Sequence, residues 1–320
     1  MTIEPRADAY GKEADGSALA DYVELLALTD QSITQADLAD LIADNDWKVR
    51  SRELFQAIPP AGNGNEEEPA EDSIDRDLQD HPSAEAARRV FDILSERAIL
   101  LGDDYPFHMN GARLEVRPSL ESGHDRYLCL LATTVAHSYN VPTSTSPREL
   151  FEGIVAQSLA ARLVLTVNMG EIGRHEADFA RALDIAADRL ELQAAPDAAP
   201  RRTHANEAGV DTLSHLQWGD LRPGHWVLIG QATCGKSETW PRKIMEPTPD
   251  SWGPWMGSLV PPIPYLAVPH HVEAHHLFHL TSTHRRLVLD RLRLCPHLTD
   301  LDAEQRTLLD EVLAQDVARP

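Results

Sequence analysis

Gly209-Val-Asp211 and the apolar run Val227-Leu-Ile-Gly230, which ends at Gln231, stand on either side of a turn at Arg222-Pro-Gly224. Short apolar runs bounded by Gly and Pro read as strands. The stretch therefore predicts two antiparallel neighbours, one around 210–216 and one at 225–231. That pair commits the chain to a sheet and locates its most chemically loaded residues within it.

The same window carries a second pattern. Gly230-Gln-Ala-Thr-Cys-Gly235-Lys236-Ser237 fits the phosphate-loop motif GxxxxGK[ST] at every position. A phosphate loop needs a strand before it and a helix after it, whose first amides hold the phosphates. The strand is present, but Pro241 interrupts any helix begun at Lys236 after about one turn. Only 84 residues follow Lys236, many in a Pro-rich stretch, which is short for the further parallel units such a fold requires. A P-loop NTPase using Gly230 to Ser237 is thus the alternative reading.

Composition narrows the setting. The chain has 320 residues and a formal net charge of −22. Residues 1–110 hold 25 acidic against 9 basic groups, and the remainder 26 against 20, so the acidity is concentrated near the N-terminus. Neither part has the basic excess of a protein that grips nucleic acid alone. Three separated cysteines, Cys129, Cys234 and Cys295, suggest no disulfide framework and a cytoplasmic setting. No run is long and apolar enough for a bilayer span, and the polar N-terminus shows no secretory signal. No membrane association is expected.

Lysine usage is skewed. Of 29 basic residues only Lys12, Lys48, Lys236 and Lys243 are lysines, and two of these fall within eight residues just past Gln231. Lysine is a compact donor able to give up its proton, whereas arginine stays charged. Chemistry that accepts only lysine would explain the pair.

Along the chain, residues 1–57 read as a helical N-terminal module, with Thr34-Gln-Ala-Asp37 as an N-cap. Residues 58–82 form an acidic Pro/Gly-rich linker, expected to be disordered. An intermediate region, 83–139, holds a helix from Ser83 to Leu101, a hairpin over 105–117 turning at Asn110-Gly111, and a helix from Tyr127 to Tyr139. Residues 140–295 form the main α/β domain. It opens with an amphipathic helix from Glu149 to Leu165, adds one over Phe179–Leu192, then a loop at 197–203 and the strand pair. Pro241 to Pro269 reads as irregular. Arg286-Leu-Val-Leu-Asp290 is a last strand or the start of a helix, and 296–320 form a C-terminal helix spanning Asp300–Asp316.

Glu152 on the early helix, Asp211 on the first strand of the pair and Gln231 at the end of the second follow an order that resembles the PD-(D/E)xK superfamily, in its variant with Gln for the second acid. More narrowly, Gly230-Gln-Ala-Thr-Cys-Gly…Trp240-Pro-Arg-Lys243 is similar to a run in bacterial proteins of this type, many from phage-defence loci. There the order is Gln-Cys-Ala-Thr-Gly, with Trp and then Lys shortly after. Looser likeness extends to Leu101-Gly-Asp-Asp-Tyr-Pro-Phe107, Val268-Pro-His270 and Leu289-Asp-Arg-Leu-Arg293, over roughly 85–295. The resemblance implies a restriction-endonuclease-like mixed sheet flanked by helices and a metal-dependent DNA endonuclease. It further implies Mg²⁺ or Mn²⁺ held by Asp211, Gln231 and Glu152, and a role as effector of a bacterial anti-phage defence or restriction system. The superfamily's lysine usually sits two residues after the acid or Gln, where this chain has Thr233. Its role is therefore expected from Lys243, with Lys236 next.

Plainer readings stand beside these. Asp211 can cap a loop, Gln231 can close a strand, and Glu152 can be a salt-bridged surface acid. Cys234 reads as a small semi-buried residue, and Trp240, Trp252 and Trp255 as packing. His271, His275 and His279 recur at four-residue spacing, but without the glutamate placement of the HExxH zinc enzymes. They read as a histidine face. The negative charge, which opposes steering onto DNA, implies a protein partner in a defence complex. A homo-oligomer or a non-catalytic scaffold subunit are further possibilities.

Overall fold

The computed structural model describes residues 2–3, 13–14, 16–45, 48–49, 82–162, 165–176, 178–192, 209–216 and 224–317. The expected linker at 58–82 lies outside these except for its last residue, as do the loop at 197–203 and Arg222-Pro223 of the turn. Among the described residues the architecture is α/β: twelve helices, a mixed five-stranded sheet and a small antiparallel hairpin. None of these helices is long and apolar enough to cross a membrane. The chain divides into two compact units, one gathering residues 2–98 and 107–116, the other 99–106 and 117–316.

The first unit holds three two-residue strands, β1 (Thr2–Ile3), β2 (Glu13–Ala14) and, after its first two helices, β3 (Lys48–Val49). Its helices are α1 (Gly16–Leu28), α2 (Gln35–Asp44) and most of α3 (Pro82–Leu101). The N-cap expected at Thr34 is present as a reciprocal capping box: Thr34 Oγ1 accepts from the Asp37 amide at 3.1 Å, and the Asp37 carboxylate accepts from the Thr34 amide at 2.8 Å. Arg97 of α3 is fully buried, donating to Asp21 at 2.8 Å, to Glu24 at 2.9 Å and to the Ser17 carbonyl at 3.0 Å. All three partners lie on α1 at i, i+4 and i+7, so one guanidinium staples the helix face that burial would otherwise leave charged. The hairpin β4 (Phe107–Asn110) and β5 (Arg113–Val116) turns one residue later than expected. Asn110 is the last paired residue and bonds Glu115 through its side chain at 3.2 Å, leaving Gly111 at φ 63° to start the turn.

The second unit is built on the five-stranded sheet. Helices α4 (Ser122–Ser138) and α5 (Pro147–Ala160) precede β6 (Leu165–Asn168), α6 (Met169–His175) and α7 (Phe179–Arg189). The predicted pair follows as β7 (Thr212–Leu216) and β8 (Trp226–Ala232), antiparallel as expected. Then come α8 (Trp240–Lys243), α9 (Pro249–Trp255), β9 (Ile263–Ala267), α10 (Ala274–His284), β10 (Leu287–Leu289), α11 (Arg291–Leu294) and α12 (Ala303–Leu313). The strands stand in chain order across the sheet. The first three alternate in direction, and β8, β9 and β10 run parallel.

Within the five-stranded sheet, β6 and β9 went unanticipated: the helix expected to run to Leu165 ends at Ala160, and Leu165 opens β6. In β9, Pro264 would argue against a sheet interior, yet β10 pairs only with Tyr265 to Ala267, so Pro264 has a neighbour on one side alone. Most of the Pro241–Pro269 stretch expected to be irregular is thus ordered as α8, α9 and β9. Phe179, Leu183 and Trp252 from α7 and α9 bury one face of β6, β7 and β8 through Val167, Leu213, Val227 and Ile229. Trp240, Ile244 and Leu280 pack with Leu266 of β9, Val288 of β10 and Val268 just after β9. Between these clusters, the edge where β6 and β8 end and β7 begins is left for polar groups.

Candidate active site

The register of the sheet assembles this edge. Asn168 pairs with Thr212, which pairs with Gly230, so three strands align one residue short of the site. Asp211 precedes Thr212 and is fixed through its backbone: its amide donates to the Gly230 carbonyl at 2.7 Å, and its carbonyl accepts from the Met169 amide at 2.8 Å. Gln231 follows Gly230 and is 2% exposed. The Asp211 carboxylate accepts from the Gln231 side-chain amide and, at 2.7 Å, from the Ala232 backbone amide. The two residues twenty positions apart are thereby joined side chain to side chain.

Glu152 reaches the same edge from α5. It is only 5% exposed. Its Oε2 occupies the space beside Gly170, where a Cβ would lie 2.2 Å away, with Asn168 Oδ1 at 3.2 Å from the same point. Burial pushes the Glu152 carboxyl up to about 7, and the neighbouring Asp211 charge adds to the rise. Asp211 itself is pushed up to about 6, mainly by burial, against the opposing pull of the Ala232 amide, Arg148 and Lys243. Two neighbouring carboxyls that each resist ionisation mark a site shielded from water. Arg148, one turn earlier on α5, offsets part of this with its Nε 3.5 Å from Glu152 Oε1.

Lys243 is near enough to favour the Asp211 anion, and its Nζ lies 2.9 Å from Glu246 Oε2. Lys236 is exposed and caps the 3-10 turn Ser237–Thr239, where its carbonyl accepts from Thr239. Of the five residues singled out in the sequence, Glu152, Asp211 and Gln231 thus meet at one edge, with Lys243 within electrostatic reach. Asn168, Gly170, Arg148 and Glu246 also belong to this neighbourhood and were missed. Arg148, four residues before Glu152 on one helix, and Glu246, three residues after Lys243, had a readable spacing.

The phosphate-loop pattern has a different geometry. Gly230, Gln231 and Ala232 are hydrogen-bonded strand residues of β8, and the helix after the 3-10 turn has four residues, with Pro241 second. Gly230 is explained by Tyr265: a Cβ there would lie 1.8 Å from the ring, whose hydroxyl is bonded to Thr212. Cys234 is buried, its thiol 3.8 Å from the Pro147 carbonyl, and burial pushes it up, away from nucleophilic use. Its carbonyl accepts from His270 at 3.1 Å if that imidazole carries the proton on Nε2, and the Gly235 carbonyl accepts from the Trp240 indole at 2.8 Å. The loop after β8 is therefore held from both sides. Among the histidines, His271 is buried and precedes α10, whereas His275 and His279 lie on it, so the three do not share one helix face.

Among the described residues no three His, Cys, Asp or Glu side chains converge as a metal-holding group. The donor set at the sheet edge is two carboxylates and one amide. Comparison with protein-family models, with curated proteins and with solved structures returns no match to this chain.

Proposed function

We propose that the chain is a metal-dependent phosphodiesterase, its site at the edge formed by Asp211, Gln231 and Glu152. More particularly, it is a DNA endonuclease that serves as the effector of a bacterial anti-phage defence or restriction system. The reading is carried by one observation: Asp211 and Gln231, at adjoining ends of antiparallel strands, share a hydrogen bond beside the buried Glu152 carboxylate. The order helix acid, strand acid, strand glutamine matches what the PD-(D/E)xK resemblance implies, and a mixed sheet flanked by helices is the expected setting.

The donor set suits a hard divalent cation. Mg²⁺ and Mn²⁺ favour oxygen ligands, and two carboxyls raised chiefly by burial are relieved by a bound cation. Asp211, Glu152 and the Gln231 amide oxygen would hold it. When bound, such an ion supplies a more acidic water and neutralises charge on the phosphoryl oxygens. The chain's own groups do the rest. Asp211, fixed by the Ala232 amide, keeps its carboxylate aimed at the edge. Lys243 places a compact ammonium beside it, suited to orienting the attacking water or to stabilising charge that develops on the phosphate. The Trp240 and His270 contacts hold the loop that joins these two parts.

The charge of −22 supports a further element, a protein partner that carries the chain to DNA, because a net negative surface opposes long-range steering. Nanomolar binding of the isolated chain to duplex DNA at about 0.15 M salt, where such steering is screened, would remove that element.

The deciding experiment incubates the purified chain with plasmid DNA, with Mg²⁺ or Mn²⁺ and with a chelator, and separately with ATP. Metal-dependent nicking is expected. Nucleotide hydrolysis without nicking would move the reading to the phosphate loop, and silence in both, with the partner present, would make the chain a scaffold subunit.

A further inference from the structure

The lysine of this site is delivered from an unusual distance. It stands twelve residues beyond Gln231, on α8 rather than on the strand, at the end of a stem with four rotatable carbons. A lysine on a strand is aimed by its backbone, whereas one on a short separate helix needs something else to aim it. We infer that Glu246 is the positioning residue that holds the Lys243 ammonium at the Asp211 edge, an assignment that rests on the nuclease reading of that site.

Three observations converge on Glu246. Its Oε2 lies 2.9 Å from Lys243 Nζ, and its Oε1 lies 2.9 Å from the largely exposed Arg242. Its Cβ, carbon and oxygen crowd Gly209, where an added Cβ would meet them at 3.0–3.2 Å, so Glu246 packs directly against the strand lead-in two residues before Asp211. Gly209 has φ 64°, a conformation that itself favours glycine, so the close approach is built into the backbone. Finally, the half-buried turn carrying Glu246 is pinned by Arg286, whose Nη1 donates to the Ile244 and Pro247 carbonyls on either side of it. The segment is rigid where it needs to be.

A held ammonium contributes to the transition state without ordering its stem during each turnover, so its loss acts on kcat more than on KM. The arrangement also explains how Thr233 can stand where the superfamily has its lysine.

The test uses the full chain and the variants Glu246→Gln and Glu246→Asp. Limited acylation with an N-hydroxysuccinimide ester is read by mass spectrometry as the ratio of Lys243 to Lys236 modification. An ammonium held by a carboxylate must lose both its proton and its partner to react. The ratio is expected to rise severalfold in Glu246→Gln and less in Glu246→Asp, which keeps the charge on a shorter arm. An unchanged ratio in both overturns the assignment. With metal and plasmid, Glu246→Gln is expected to lower kcat by roughly ten- to a hundredfold with KM little changed; a raised KM at constant kcat also overturns it. If neither the wild-type chain nor the variants cleave DNA, the nuclease reading falls, while the acylation ratio still decides whether Glu246 holds Lys243.

Discussion

Gly170 and Glu152 share one volume: the Cβ that residue 170 lacks would lie 2.2 Å from the Glu152 carboxylate oxygen. Gly170 is the second residue of α6, where alanine gains at most the roughly 1 kcal/mol it has over glycine in a helix interior. The obstructing atom is the far end of a flexible side chain, free to swing aside. Gly170→Ala is therefore expected to leave thermal stability equal or slightly raised while displacing Glu152 and lowering metal-dependent cleavage roughly tenfold or more. A melt and a nicking assay on the same preparation check this. Unchanged cleavage would show that Glu152 has no part in the chemistry.

Asp211→Asn should abolish cleavage with the fold retained, because the amide keeps the steric fit while removing the anion. The lysines should separate. Lys243→Ala is expected to cost roughly a hundredfold, the scale of one transition-state donor. Lys236→Ala should act on DNA affinity and reveal itself in the salt dependence of binding. Lys243→Arg should not rescue, since a planar, permanently charged guanidinium cannot replace a compact ammonium. Full activity in the Lys236→Ala/Lys243→Ala double variant removes the lysine assignment.

Stability without divalent ions should fall as pH rises. Folding lifts Glu152 to about 7 and Asp211 to about 6, from 4.5 and 3.8. Between those limits the folded chain binds more protons than the unfolded one, so unfolding free energy declines with pH. The cost is absent below about pH 4, where both states are protonated, and complete above about pH 7. A melt in chelator should thus give a lower Tm at pH 8 than at pH 5. The difference should shrink in Glu152→Gln/Asp211→Asn, with roughly 2–4 °C expected for each kcal/mol in a unit of this size. Added Mg²⁺ should stabilise more at pH 8 than at pH 5, because ligation needs the ionised carboxylates. Parallel Tm curves for wild type and double variant would show that these carboxyls do not set the slope.

Gly230→Ala separates two explanations of one glycine. If its role is to admit the Tyr265 ring, alanine is expected to destabilise by about 1–3 kcal/mol through overpacking. Removing the ring in Gly230→Ala/Tyr265→Ala should then cost less than the two single changes together. Strict additivity in denaturant titrations would detach Gly230 from Tyr265.

The β7–β8 pair, the amphipathic α5 and the Thr34 cap were legible because each rests on a local pattern: apolar runs between Gly and Pro, a helical repeat, a polar residue before a helix. Asp211 and Gln231 could be placed at strand ends for the same reason. Strand β9 was not legible, since Pro264 argues against it and only the short reach of β10 makes it tolerable. Gly170 was hidden for a different reason, as was the contact of Glu246 with Gly209. Their importance lies in what stands opposite them in space, the Glu152 carboxylate and the Gly209 backbone, and neither pairing has a sequence spacing that announces it. Arg97 among Asp21 and Glu24 is the same case in the other unit: three charged residues that look solvent-facing until the helices close over them.

The strands cross the sheet in the order in which they are synthesised. The partners of Asp211 are all present once residue 232 has emerged, and Glu152 and Gly170 precede it. Arg286, which clamps the turn bearing Lys243 and Glu246, is made more than fifty residues later. A nascent chain short of that arginine carries the acids of the site, with Arg148 beside Glu152, before the turn bearing Lys243 can be clamped, so on the nuclease reading the lysine is the last part of the site to be fixed in place.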